Sequence, residues 1–151
     1  MTDIAAFLQQ ERPAVIAAAE AALVRMHMPH YERAGADTIQ ERLASLFDRL
    51  VESIAARDLT PSVDHARRIA EERFNDGYDI AEVQTAFNAL EEASWSCAVS
   101  RLEASELAEA LGLITTVLGA GKDALASTYV SLAASTNVGS LDLRALFAGT
   151  S

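Results

Sequence analysis

The chain has 151 residues, half of them hydrophobic, with 30 Ala, 7 Gly, 3 Pro and 1 Cys. That is enough for one domain burying roughly two-thirds of its unfolded surface, and too poor in turn residues for a β-sandwich or barrel; the single cysteine excludes an internal disulfide. The net charge of −10, from 22 acids against 12 bases, repels phosphate backbones and anionic headgroups, so neither nucleic acid nor a membrane surface is an expected partner.

The first segment, Asp3 to about Arg25, carries Ile4, Phe7, Leu8, Val15, Ile16, Ala19 and Leu23 on a helical stripe that Met26 ends. Pro13 cannot continue an uninterrupted helix, so a kink is predicted, or a short arm (Asp3–Gln10) followed by a helix starting near Pro13. Pro29 and Gly35 make Met28–Ala36 a connector. Asp37 with Gln40 reads as a capping box opening a strongly amphipathic helix through Ile39, Leu43, Leu46, Phe47, Leu50, Val51 and Ile54; Glu41, Arg42, Asp48, Arg49 and Glu52 form its outer face. Thr60 as cap and Pro61 at the first helical position start the next helix, which Asn75-Asp76-Gly77 ends with a left-handed glycine. Asp79 and Glu82 form a second capping box, ahead of a helix apolar on two faces: Ile80, Val83, Phe87, Leu90 and Cys97 on one, Trp95, Val99 and Leu102 on the other. The last helix, about Ser105 to Ala134, repeats apolar residues every three or four positions, and its Gly119 and Gly121 suggest close helix–helix approach. The predicted fold is all-α, a single-domain bundle of four to five helices over residues 1–135 with the long C-terminal helix at its centre. Residues 136–151 read as a linker and a short amphipathic tail.

The N-terminus has no basic region followed by an apolar run, so it is not a secretory signal. The longest apolar stretch, Ala110–Gly121, falls short of the roughly 20 residues that span a bilayer. A cytoplasmic protein is expected.

Chemistry-bearing patterns are thin. A di-iron bundle needs Glu-x-x-His pairs, but Val24, His27 and Ser62 occupy the positions three before the histidines. Met26-His27-Met28-Pro29-His30 offers soft ligands but reads as a connector, and His65, beside Asp64 and Arg67-Arg68, reads as a boundary residue rather than a haem ligand. Cys97 sits on a core face, where a thiol behaves as a small inert hydrophobe. Gly119-Ala120-Gly121-Lys122 lacks the upstream Gly and the following Ser or Thr of a phosphate loop. No metal, cofactor or catalytic set is therefore expected, and the chain is not expected to be an enzyme.

The stretch from Arg68 to Val83, Arg-Ile-Ala-Glu-Glu-Arg-Phe-Asn-Asp-Gly-Tyr-Asp-Ile-Ala-Glu-Val, continues through Phe87 to Glu91-Glu92. With the upstream Leu46-Phe-Asp-Arg-Leu-Val and the Asp58 to Pro61 turn, it resembles the N-terminal domain of RsbT co-antagonist (RsbRD-type) proteins, over roughly residues 5–135. The resemblance implies a helical sensory or regulatory input domain. In that family it commonly precedes an output module such as a STAS domain or a kinase. Here no output module fits after the last helix, so the expectation is action through a protein partner (a regulator, kinase or STAS-type protein) or through self-association as a homodimer. Trp95, Val99 and Leu102 are the candidate contact surface, with Leu141, Leu143, Leu146 and Phe147 of the tail as a second. The alternative is a small-molecule or cofactor sensor with a pocket between helices near Tyr78, Trp95 and Tyr129.

Overall fold

A computed structural model describes residues 2–136, and among them the chain is all-helical with no strand. Seven helices follow one another: α1 (Ile4–Gln10), α2 (Arg12–Arg25), α3 (Pro29–Ala34), α4 (Ala36–Ala56), α5 (Thr60–Asn75), α6 (Ile80–Arg101) and α7 (Ala104–Thr136). The tail residues Leu141, Leu143, Leu146 and Phe147, with the rest of the chain beyond Thr136, lie outside the described residues.

The predicted break near Pro13 is present. Glu11 separates α1 from α2, with Pro13 in the first turn of α2, where a missing N–H costs nothing. Asp3 caps α1 by accepting from the Ala6 N–H at 3.2 Å. Gly77 adopts φ +83 and ends α5 as expected, and the Asp79–Glu82 capping box forms, with the Glu82 carboxylate accepting from the Asp79 N–H at 3.2 Å.

Three local expectations are corrected. The stretch read as a connector contains α3, a short helix pinned by the buried Tyr31. Helix α4 is entered through Gly35 at φ +89, a conformation open to glycine, so it begins at Ala36. Asp37 then lies inside the first turn, while Gln40 donates to Glu20 of α2 at 2.8 Å. Leu59 is the residue capping α5, and Thr60 is already helical; the Asp58 carboxylate accepts its N–H at 2.9 Å.

Helix α4 is the hub, touching all six other helices, whereas α7 packs chiefly against α5 and α6. The long C-terminal helix is thus one wall of the core rather than its centre. Phe47, Leu43 and Leu50 of α4 are fully buried together with Phe87 and Leu90 of α6 and Ile114, Leu118 and Leu125 of α7. Two polar ties fix α4 to its neighbours. Arg12 forks onto Asp48 (Nε–Oδ1 2.9 Å, Nη2–Oδ2 3.0 Å), and the buried Ser53 and Ser62 hydroxyls meet at 2.8 Å at the α4–α5 turn, with Ser62 also donating to the Arg49 carbonyl.

The two candidate close-approach glycines separate. A Cβ on Gly121 would lie 3.0 Å from Phe87 Cε1, so α6 and α7 meet there, while a Cβ on Gly119 would meet nothing within 4 Å. Gly119→Ala is therefore expected to stabilise the protein by up to about 1 kcal/mol through helix propensity alone, as a higher urea midpoint with an unchanged m-value.

Candidate functional site

Tyr78 follows the left-handed Gly77 and folds back over the end of α5, its N–H bonded to the Arg73 carbonyl at 2.9 Å. This turn brings the ring among side chains from four helices. Arg42 of α4 donates to the Tyr78 hydroxyl at 2.6 Å, and the hydroxyl donates to the His30 carbonyl at 3.4 Å. The guanidinium carbons of Arg42 and Arg73 lie 5.5 and 5.8 Å from the ring centroid, within cation–π range. The His30 and Tyr31 rings pack against Tyr78, and Tyr129 of α7 donates to its carbonyl at 3.1 Å.

His30 and Glu82 anchor one side of this cluster, with His30 Nδ1 2.8 Å from the Glu82 carboxylate and the His30 N–H also directed at it. Burial pushes Glu82 upward, but the hydrogen bonds from His30 and from the Asp79 N–H outweigh it, so its carboxyl is held below the ordinary value.

Beside the cluster, α4 and α5 form the walls of a half-open cavity of about 400 Å³ that α2, α3 and α6 help to line. Its apolar wall includes Leu46, Ile69, Val83 and Phe87, and its polar wall holds Arg42, Arg68, Arg73 and His65, with Glu41 and Glu72. Tyr31, 4% exposed, also lines it, and among the described residues its hydroxyl makes no hydrogen bond. Arg73 is 7% exposed and pairs with its neighbour Glu72 at 3.2 Å. The field is positive: burial, followed by Arg68 and Arg49, lowers the pKa of His65, while burial raises that of the Tyr31 phenol against the opposing pull of Arg73 and Arg42.

The sequence-derived pocket is only partly assembled. Tyr78 and Tyr129 meet, but Trp95 lies about four turns up α6 from Ile80, roughly 22 Å at 1.5 Å per residue, where its indole donates to Thr115 of α7 at 3.1 Å. Trp95 borders a shallow surface groove with Glu91, Glu92, Ser96 and Val99, all from α6. Trp95 is 39% and Val99 57% exposed. Leu102 leaves that surface: it follows the last turn of α6 with an extended backbone and packs against the core.

The Met-His-Met-Pro-His stretch is not one site. His27 pairs with Glu32 at 3.1 Å and His30 with Glu82, and Met26 is exposed rather than the end of a core stripe. Among the described residues no three His, Cys, Asp or Glu side chains are grouped to hold a metal ion, and no helix is long and apolar enough to cross a membrane. Burial, followed by nearby Glu11, raises the Cys97 pKa and keeps the thiol protonated.

Sequence reading missed the inward role of Arg42 and Arg73. The one available signal was position: each immediately precedes a large apolar residue, Leu43 and Phe74. Comparison with family models, with curated proteins and with solved structures finds no match.

Proposed function

We propose that this chain is a non-enzymatic regulatory domain, of the RsbRD-type input kind it resembles, built on five principal helices and acting by contact with a second copy of itself. The observation that carries the reading is Trp95. A large aromatic, fixed by its indole hydrogen bond to Thr115 yet exposed beside Val99, suits the anchor of an interface, where tryptophan is enriched. In a two-fold symmetric contact the same Trp95–Val99 patch serves both copies.

Sedimentation equilibrium tests this reading. The wild-type protein is expected to dimerise, and Trp95→Ala to weaken the dimer by about 30-fold or more, the equivalent of about 2 kcal/mol at an interface centre. A monomer at every concentration removes the self-contact and leaves a regulator, kinase or STAS-type protein as the partner to seek. A dimer indifferent to Trp95→Ala removes this surface.

A second reading, a small-molecule sensor, is favoured by the arginine-lined cavity between α4 and α5. It moves the pocket from Tyr78, Trp95 and Tyr129 to a neighbouring place in the bundle.

A further inference from the structure

We propose that the α4–α5 cavity binds an organic monocarboxylate with a compact apolar body, its carboxylate seated against Arg73, Arg42 and the Tyr31 hydroxyl and its body against Leu46, Ile69 and Phe87. This rests on the sensor reading and gives that site a ligand class.

Three observations converge. The first is charge. In a chain of net charge −10, three of its 12 Lys and Arg residues line this one cavity. Against Glu41 and Glu72 they leave a local excess of one positive charge, which a singly charged anion neutralises. His65 adds no cation near neutral pH, because burial and the surrounding arginines hold its pKa down.

The second is unused hydrogen-bonding capacity. A guanidinium carries five N–H donors. Among the described residues Arg73, though 7% exposed, spends one of them on Glu72, itself an exposed side chain. The Tyr31 hydroxyl, on a residue whose ring is buried, bonds to no protein group among the described residues. Donors that line a cavity without a protein acceptor are open to a ligand, and a carboxylate supplies acceptors in the fork geometry that arginine matches best.

The third is the apolar lining. Leu46, Val83 and Phe87 are buried, and Ile69 packs against the core, so this part of the cavity suits carbon rather than a hydrated inorganic ion. The volume of about 400 Å³ falls in the range of small-molecule pockets.

The test is calorimetric titration of the full chain with 2-naphthoate, alongside 2-naphthamide, 2-naphthylmethylammonium and inorganic phosphate. Naphthoate is expected to bind at least about tenfold more tightly than each of the others, as charge-assisted hydrogen bonds imply. Arg73→Gln should weaken it about tenfold. Should that buried substitution unfold the protein, Arg68→Gln, at an exposed position, should still weaken binding about threefold through loss of local positive charge. Tyr31→Phe should weaken naphthoate several-fold while leaving the Tm of the free protein unchanged or higher, because the deleted hydroxyl bonds nothing in the protein.

Equal binding of naphthoate and naphthamide, lost together in Ile69→Arg, overturns the carboxylate class and leaves a sensor pocket. Phosphate binding as tightly as naphthoate overturns the apolar body. Naphthoate affinity unmoved by Arg73→Gln, Arg68→Gln and Tyr31→Phe places the ligand elsewhere and overturns the assignment. No heat with any probe overturns both the ligand class and the sensor reading.

Discussion

Phe87→Ala is expected to cost about 3–5 kcal/mol, the range for removing a fully buried phenyl ring, and to change the sign of a second substitution. Phe87 is wholly buried on α6 and sits where Gly121 lets α7 approach, with the ring 3.0 Å from where a Cβ would be. In the wild-type background Gly121→Ala sets a helix-propensity gain of about 1 kcal/mol against a methyl group forced onto a ring that cannot retreat. Overpacking costs about 1–3 kcal/mol, so the net effect is destabilising. In the Phe87→Ala background the methyl enters the space the ring has left, and Gly121→Ala becomes stabilising. A double-mutant cycle by urea denaturation should give a coupling of about 1–3 kcal/mol. Additive changes would mean that the helices do not meet through this pair. Gly119→Ala, two residues away and facing open space, supplies the propensity term by itself.

That contrast also shows where the sequence could be read and where it could not. Spacing alone indicated that a glycine on α7 allowed close approach, but the partner ring lies 34 positions away in the chain (121 − 87), so nothing local could choose between Gly119 and Gly121. The elements legible in advance were those decided within one or two turns: the core stripe of α4, the stop at Gly77 and the Asp79–Glu82 cap. Those misjudged were settled by tertiary partners. Helix α3 is too short to hold on propensity and depends on burial of Tyr31 among Tyr78 and its neighbours. Arg42 was placed on a solvated face because a charge beside other charges ordinarily is; its partner, the Tyr78 hydroxyl, arrives from the far end of α5. The cavity was invisible for the same reason: its basic wall is assembled from α4 and α5 residues that each look like surface positions in their own helix.

The Tyr78 turn depends most heavily on Glu82, and Glu82→Ala is expected to cost about 2–4 kcal/mol. One carboxylate accepts from the Asp79 N–H at the start of α6 and from His30 of α3, and it is 8% exposed. Truncation removes a cap, worth about 1 kcal/mol, and strands the half-buried His30 donors, worth a further 1–3 kcal/mol. The pH dependence follows from the direction of its shift. The folded pKa lies below the ordinary value of 4.5, so the unfolded chain binds the proton more readily than the native one. The stabilisation is therefore fully present above the unfolded value and is lost as pH falls through the lower folded value. Glu82→Gln keeps an acceptor oxygen but removes the ionisation. Urea denaturation from about pH 7 into the acid range should show wild type and Glu82→Gln converging as pH falls below the ordinary value of 4.5 and through the lower folded one, where protonation makes the native carboxyl as neutral as the amide. Curves that stay parallel across that range would show that the ionised carboxylate contributes nothing to holding α3 against α6. Tyr78 and the arginine wall of the cavity would then owe their placement to packing alone.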